Sequence, residues 1–284
     1  MNLRPLLRKL PIERFRNPPP VVPVVRFDGV IASRQWRGSM SLASHAGALD
    51  RAFRLHDIAA LAIVVNSPGG APVQSALLYR RIRALADEHK VPVFAFAEDV
   101  AASGGYWLAL AGDEIYAEET SLLGSIGVVS AGFGFTRLID RLGIDRRLYT
   151  AGERKSLLDP FSPEKAEDLD RLTGLQADIH AAFKDHVHRR RIGKIDPADE
   201  TLFSGDILTG RMALARGLID GIGDLRSVMR ARFGDKVRLV PVAVERRRRL
   251  LTRRRPFVTG ESLSLLGDIA DWLEARLMWA KYDL

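Results

Sequence analysis

Asp99-Val-Ala-Ala-Ser103-Gly104-Gly105-Tyr106 is the stretch from which the organisation of this chain can be worked out. It follows one apolar run, residues 91–97, and leads into another, residues 106–110. A serine and two glycines between such runs are typical of a sharp turn from a strand into a helix. In that turn the serine side chain is exposed and the glycines let a ligand approach the backbone closely. Taken alone, the pattern is equally typical of a serine that only caps a helix.

The chain around this turn alternates between short apolar runs and amphipathic stretches. Residues 61–65 and 91–97 are wholly apolar, as in strands buried on both faces of a sheet, and residues 72–89 have helical spacing. Alternating strands and helices indicate parallel pairing, in which functional groups gather at the carboxyl ends of the strands. The loop Asn66-Ser67-Pro68-Gly69-Gly70 follows the first strand and Ser103 follows the second. An α/β fold is therefore predicted, with both loops at one edge of the sheet.

The whole chain divides into three predicted regions. Residues 1–20 are expected to form a basic amphipathic arm ending in three prolines, residues 21–240 the main domain, and residues 241–284 an arginine-rich segment and an amphipathic helix. Within the main domain the patterns predict further strands at 21–31, 115–117, 127–130 and 147–150, and helices at 42–55, 163–191 and 210–223.

Composition excludes several kinds of chemistry. The 284 residues include no cysteine, which rules out disulfides, thiolate metal ligands and a cysteine nucleophile. The net charge of +8 is concentrated between Arg246 and Arg255, where seven arginines lie. Such a run either attracts a polyanion, such as an anionic membrane surface, or is a solvated tail. No apolar run reaches the length of a membrane span, so we expect the chain in the cytoplasm or at the cytoplasmic face of the inner membrane.

The glycines near Ser103 suggest a site that stabilises negative charge on oxygen. Two backbone N–H groups aimed at a carbonyl oxygen form an oxyanion hole, and such a donor is often worth roughly 3–4 kcal/mol in the transition state. Gly69 or Gly70 would supply one donor and Gly104, directly after the serine, the other. A plain turn explains the Ser-Pro-Gly-Gly sequence equally well when it is considered alone.

A nucleophilic serine also needs a base, and lysine is the better candidate here. The six histidines lie in polar contexts that favour a solvated face, whereas the chain has only eight lysines against 35 arginines. Lys155 follows a strand-like run and Gly152. Burial could lower its pKa from about 10.4 far enough for it to accept a proton, which arginine cannot do. Ser125, between glycines, is the candidate for orienting the amine, or is a simple turn serine.

Five motifs in order give the chain a resemblance to a known family. These are Asn66 to Gly70, Ala102-Ser-Gly-Gly-Tyr106, Gly124-Ser-Ile-Gly127, Gly152-Glu-Arg-Lys-Ser156 and a downstream signature from Ser204 to Gly221. Together they resemble the signal peptide peptidase family of the SppA/protease IV type, in its short single-repeat bacterial form. Members of that family usually carry an N-terminal membrane anchor, and no apolar run of that length occurs in this sequence, so we expect the arginine-rich segment with its amphipathic helix to replace it.

The resemblance implies a fold, a site and a substrate class. The fold would be crotonase/Clp-like, a spiral with a mostly parallel sheet, here with a C-terminal helical extension, and residues 21–240 would be a Ser/Lys peptidase domain. Ser103 would be the nucleophile, Lys155 the general base and Ser125 the residue that orients it, with Gly69, Gly70 and Gly104 around the oxyanion. A ring-shaped homo-oligomer would cleave remnant signal peptides or other short apolar peptides through an acyl-enzyme, without metal or cofactor.

Two other classes of protein remain open at this stage. A crotonase relative that handles acyl-CoA thioesters would use the same sheet and paired backbone donors, although that chemistry usually needs carboxylates. A non-catalytic scaffold would keep the fold and bind a membrane or nucleic acid through its basic tail, although nucleic acid is the less expected partner. Labelling of Ser103 by a serine-directed probe separates the hydrolase from both.

Overall fold

A computed structural model describes residues 18–33, 39–152, 154–244 and 276–280, together with Leu273 and Tyr282. Most of the predicted arm, residues 1–17 of 1–20, lies outside the described residues, as do the arginines between Arg246 and Arg255 and most of the predicted C-terminal helix. Residues 276–280 are helical.

The strands lie mainly in one sheet. In chain order they are β1 Val21–Asp28, β2 Val30–Ile31, β3 Ser39–Met40, β4 Leu61–Ser67, β5 Val93–Ala102, β6 Glu114–Ala117, β7 Leu122–Gly124, β8 Ile207–Thr209, β9 Gly221–Ile222 and β10 Arg238–Pro241. The strand order of the large sheet is β10-β1-β4-β5-β6-β9, with β7 added beside the second half of β5 and β8 beside β7. All described pairs are parallel except β7 with β8.

The helices connect the strands and cover both faces of the sheet. They are α1 Leu42–Phe53, α2 Pro72–His89, α3 Gly104–Ala109, α4 Thr136–Arg141, α5 Ala166–Arg190, α6 Gly210–Ala215 and α7 Leu225–Phe233, with a short 3-10 helix at Glu200–Phe203. Ser41 starts α1 through a capping box with Ser44, and Asp224 caps α7 by accepting bonds from two backbone N–H groups. Pro72 lies in the first turn of α2, where its missing N–H costs nothing.

The core consists of two apolar layers separated by the sheet. The larger layer packs α1, α2, α3 and α5 against one face, and the smaller layer packs Met229 of α7 against Phe94 and Phe96 on the other. The central strand β4 has the sequence Leu-Ala-Ile-Val-Val-Asn-Ser, and its first five residues are buried, as expected for a strand covered on both faces. The prediction of an α/β fold with a mostly parallel sheet is confirmed.

Several predicted elements differ from the structure. Neither 127–130 nor 147–150 is a strand, and the strand of this region is β7, which precedes them. The side chains of Val129 and Tyr149 are 86% and 90% exposed, so these runs have the composition of strands but lie away from any sheet. The helix predicted at 210–223 is only α6, because Gly217 has a φ of +74° and its Cα lies against the carbonyl of Lys194.

Candidate active site

Ser103 lies at the carboxyl end of β5, between the last strand residue and the first residue of α3. Its φ of +51° and ψ of −122° are unusual for a residue with a side chain, and such strain is characteristic of functional positions. The backbone around it is held on both sides, because Ser103 N–H donates to the Gly124 carbonyl at 2.8 Å and the Ser103 carbonyl accepts from Trp107 N–H at 3.0 Å. The half-buried side chain therefore stands on a fixed, sharp turn from strand to helix.

The register of the sheet brings the glycine loop to this turn. Strand β4 pairs with β5 from Leu61 opposite Val93 up to Ser67 opposite Ala101, with an irregularity just before Ser67. Asn66 spans that irregularity, since its side-chain oxygen accepts from Val100 N–H at 3.2 Å and its amide donates to Asp99 at 3.2 Å. The asparagine of the loop thus aligns the two strand ends, and the glycines that follow it lie beside Ser103.

Gly69 and Gly70 are in close contact with the serine turn. Their φ angles are +104° and +133°, in the region that favours glycine. A Cβ on Gly69 would lie 2.7 Å from Gly104 N and 2.8 Å from Ser103 Cβ, and a Cβ on Gly104 would lie 3.3 Å from Gly70 N. The three predicted oxyanion glycines are therefore close neighbours of the serine, and a side chain at Gly69 would fill the space between them.

The hydrogen bonds of the loop distinguish Gly70 from Gly69 as a donor. Gly69 N–H donates to the hydroxyl of Ser67 at 3.1 Å, so it is used inside the loop. Ile31 of β2 pairs with the residues on either side of Gly70: its carbonyl accepts from Ala71 N–H, and its N–H donates to the Gly69 carbonyl. Because of this parallel pairing, Gly70 N–H points away from β2. Gly104 begins a helix, where the first N–H groups have no partner within the helix. The geometry favours Gly70 and Gly104 as the pair of donors.

Ser125 is the next residue after β7 and lies on the other side of Ser103. Ala102 of β5 is opposite Gly124 of β7, which makes Ser103 and Ser125 neighbours across the sheet edge. Ser125 is 7% exposed, has a φ of +48° and donates its N–H to the Asp206 carbonyl at 2.7 Å. The hydroxyl of Tyr282 lies near it, and this neighbour partly offsets the rise that burial causes in the pKa of Tyr282. Ser125 is thus buried beside the serine turn, as its predicted role requires.

Lys155 is not part of this cluster within the single chain. It lies in the segment between β7 and α5, its side chain is exposed, and its N–H donates to the Gly152 carbonyl at 3.3 Å. Among the described residues its amine forms no hydrogen bond or ion pair. The same segment exposes large apolar side chains, namely Val129, Phe133, Leu138, Leu142, Ile144, Leu148 and Tyr149. The pairing of Lys155 with Ser103 stays a prediction, and burial of this lysine would need another surface to cover it.

Behind the serine turn, α3 is fixed by a layer of aromatic and polar contacts. The Tyr106 hydroxyl donates to the buried Leu218 carbonyl at 2.7 Å. The Trp107 ring stacks on His186 of α5, with ring centroids 4.7 Å apart, and His186 also meets Tyr79 edge-on at 4.3 Å. His186 is 4% exposed, and burial lowers its pKa to about 4, so the ring is neutral at pH 7.

The expectation that the histidines form a solvated face is wrong for two of them. His186 and His45 are both buried, and burial lowers the pKa of each. The sequence did contain a signal for His186, because Phe183 and Val187 lie on the same side of α5 and are buried with it. The arginines that follow obscured this signal by giving the end of the helix a polar composition.

A cavity of about 700 Å³ opens on the opposite face of the sheet from the main core, next to β7. Its walls include apolar side chains of β5, β7 and β10 and the ring of Tyr282. Carboxylate-bearing residues also line it: Glu98, Asp99, Glu118 and Asp224. The described residues contain no group of His, Asp and Glu side chains that could hold a metal ion. The described residues also contain no helix both long and apolar enough to cross a bilayer.

A strained serine at a strand end, two glycine N–H groups that have no hydrogen-bond partner among the described residues, and a buried second serine define the type of site found in serine hydrolases. Comparison with known proteins is consistent with this class. The model of peptidase family S49 matches residues 86–236, which is more than half of the chain. The chain therefore belongs to peptidase family S49.

Individual relatives differ in length and in name. A Brucella abortus protein named Na(+)/H(+) antiporter NhaA is 51% identical over 98% of this chain, but the match covers only 39% of that protein. The chloroplastic serine protease SPPA of Arabidopsis thaliana is 37% identical over 57% of this chain and 24% of its own length. A solved structure, the 1510-N membrane-bound stomatin-specific protease, is 16% identical with a TM-score of 0.48, covering 80% of this chain and 99% of that chain. The chain thus spans well under half the length of these two curated relatives.

Proposed function

We propose that this chain is a serine endopeptidase in which Ser103 attacks a peptide carbonyl. The observation that carries this proposal is the strained turn at Ser103 with the N–H groups of Gly70 and Gly104 beside it, in a chain of peptidase family S49. These N–H groups would stabilise the oxyanion of the tetrahedral intermediate, because they are held by backbone geometry before the substrate arrives. An acyl-enzyme forms at Ser103, and water then releases the second product.

Lys155 is the proposed general base. Its neutral amine would take the proton of the Ser103 hydroxyl, and the resulting ammonium would protonate the leaving amine. Ser125 supports the assignment, because it is buried next to Ser103 and can hold one N–H of the amine. No step of this mechanism calls for a metal or an organic cofactor.

Assembly of several copies is the proposed means of burying Lys155. Several large apolar side chains between Val129 and Tyr149 are exposed, and exposed apolar surfaces often mark contacts with other proteins. Copies of this chain that covered the segment would remove Lys155 from water, which the lowering of a lysine pKa requires. A ring-shaped homo-oligomer fits this requirement.

The proposed substrates are short apolar peptides, including remnant signal peptides. The Arabidopsis thaliana relative carries the name of a serine protease, and the motifs of this chain resemble those of signal peptide peptidases. A role near a membrane is a further proposal, supported by the Brucella abortus relative, in which a sequence matching 98% of this chain belongs to a longer protein named as an antiporter.

Digestion of a peptide library by the full chain, with products identified by mass, tests the proposal. Wild type is expected to cleave apolar peptides and Ser103→Ala to leave them intact. Ser227→Ala removes an exposed hydroxyl on α7, which packs on the opposite face of the sheet, and should cleave like wild type. Cleavage that persists in Ser103→Ala would refute Ser103 as the nucleophile, and CoA thioester binding without cleavage would favour the crotonase alternative.

Mixing two inactive variants tests the origin of the lysine. If Lys155 acts across subunits, a mixture of Ser103→Ala and Lys155→Ala chains regains part of the activity, whereas separate variants do not. If it acts within one chain, the mixture stays inactive although the oligomer is intact.

A further inference from the structure

Ser75 lies in the first turn of α2, directly after the glycine loop of the candidate active site. Its side chain is fully buried, so it has no surface that a substrate could touch. The Ser75 hydroxyl donates to the Ala71 carbonyl at 3.2 Å, and the Ser75 N–H donates to the same oxygen at 3.1 Å. The side chain is thus fixed to the residue that follows Gly70, one of the two favoured oxyanion donors.

The Ser75 hydroxyl also faces Gly104, the other favoured donor. A Cβ on Gly104 would lie only 2.5 Å from Ser75 Oγ, which is closer than real Cβ atoms come to another atom. The same Cβ would lie 3.3 Å from Gly70 N. The first turns of α2 and α3 are therefore packed against each other at Ser75 and Gly104, with no space for one more carbon atom, and Gly70 N–H lies beside this contact.

Ser67, at the end of β4, makes a second close contact with α3 from the other end of the loop. It is fully buried, and a Cβ on Gly105 would lie 2.6 Å from the Ser67 carbonyl oxygen and 3.1 Å from the Ser67 Cβ. The loop that carries Gly70 is thus in contact with α3 at both of its ends, through Ser67 and through Ser75. Because such tightly packed atoms have little room to move, these contacts set the position of Gly70 relative to Gly104.

We propose that Ser75 is a positioning residue that sets the spacing of the Gly70 and Gly104 N–H groups. This inference rests on the proposed function, in which these groups stabilise the oxyanion at Ser103. Both donors must come within about 2.7–3.1 Å of the oxyanion, so a small change in their spacing weakens at least one of the bonds. The Ser75 oxygen fills the gap between the first turns of α2 and α3. A larger atom there pushes the turns apart, and its removal leaves a gap into which they can shift.

Steady-state cleavage of a fluorogenic amide of a short apolar peptide by the full chain tests this inference. Ser75→Cys places a larger atom at the same position, in a chain with no other cysteine. We expect kcat to fall by about 10- to 100-fold, part of the 10²- to 10³-fold effect of losing a whole donor. Ser75→Ala removes the hydroxyl and its bond, and kcat should fall about fivefold. KM should stay unchanged in both variants, because the spacing of the donors acts on the transition state.

Ala86→Val is the matched control for a general loss of packing. It crowds the buried face of α2 near the other end of the helix, away from the glycines. This variant should be less stable in urea unfolding than wild type but should have the same kcat. If kcat falls in Ala86→Val as much as in Ser75→Cys, the loss follows from the packing of α2 as a whole, and the inference is overturned.

A trifluoromethyl ketone of the same peptide gives the decisive measurement. The Ser103 oxygen adds to its carbonyl carbon, the hydroxyl proton passes to the base, and the oxyanion that forms takes the place of the one in the tetrahedral intermediate. In Ser75→Cys its inhibition constant should rise by the factor by which kcat/KM falls, while the affinity for the cleaved peptide should not change. Equal weakening of both ligands would overturn the inference, as would Ser75 variants as fast as wild type in an enzyme that needs Ser103. Turnover unaffected by Ser103→Ala would instead refute the proposed function, and the inference with it.

Discussion

His186 makes the layer behind the serine turn sensitive to acid. The neutral ring is sandwiched between Trp107 and Tyr79, and its pKa is about 4 in the folded chain against 6.5 for an ordinary histidine. Below pH 6.5 the unfolded chain therefore binds a proton at this residue that the folded chain does not bind until about pH 4. Stability is fully present above pH 6.5 and is lost as the pH falls through this window.

The size of the loss follows from the two pKa values. Each unit of difference corresponds to 1.36 kcal/mol, so lowering the pH from 7 to 4 should cost about 3 kcal/mol of the free energy of unfolding. Burial also lowers the pKa of His45, which adds a loss in the same direction. Urea unfolding followed by circular dichroism at several pH values between 4 and 8 measures the sum.

Two variants isolate the contribution of His186. His186→Gln has no group that titrates in this window, so its stability should depend less steeply on pH, whatever its stability at pH 7. His56→Gln replaces an exposed histidine and should leave the wild-type slope intact. If the stability of His186→Gln depends on pH as steeply as that of wild type, burial does not keep the His186 ring neutral.

Four further predictions concern the site, the assembly and the tail. Lys155→Arg should lower kcat by a factor of about 10² to 10⁴, which is the usual contribution of a general base. Lys165→Arg, at an exposed position nearby, should leave kcat unchanged. Equal activity of the two variants in a peptide assay would refute Lys155 as the base. Wild-type kcat should rise with pH as a lysine loses its proton, and a rate that is flat between about pH 6 and 9 would contradict a lysine base. Phe133→Asp, on the exposed apolar segment, should shift the oligomer to smaller species in sedimentation velocity, and an unchanged distribution would place the interface elsewhere. Deleting residues 241–284 should move the chain from the membrane fraction to the supernatant, and unchanged fractionation would refute a membrane role for the tail.

The parts of the site that depend on strand ends could be predicted from the sequence. Two buried apolar runs, each followed by a glycine-rich loop, imply adjacent parallel strands with their loops at one edge, and the register of β4 with β5 puts Gly69 next to Ser103. The choice between Gly69 and Gly70 could not be made in this way. It depends on the Ser67 hydroxyl and on the pairing of Ile31 with the loop, and neither leaves a pattern in the sequence.

Predictions from the sequence are wrong where a residue's surroundings come from distant parts of the chain. Residues 127–130 and 147–150 have the composition of strands, but in the described part of the single chain no strand lies beside them. Without a neighbouring strand to pair with, they do not form strands. His186 lies in a polar stretch, yet its neighbours Trp107 and Tyr79 belong to two other helices. In both cases the deciding contacts are tertiary, and composition within a window of a few residues does not report them.

At the site itself, the surroundings of Lys155 could not be predicted from the sequence either. Ser125 is fixed by the backbone, since the pairing of β5 with β7 puts it beside Ser103 in any chain that forms this sheet. Lys155 lies on a segment outside the sheet, and its side chain is exposed in the single chain. A base that becomes buried only when copies of the chain assemble would be exposed in this way. The sheet therefore positions the proposed nucleophile and the proposed oxyanion donors within one chain, while the proposed base lies outside the sheet. If assembly buries Lys155, disrupting assembly should abolish proton transfer and leave the geometry of Ser103 unchanged.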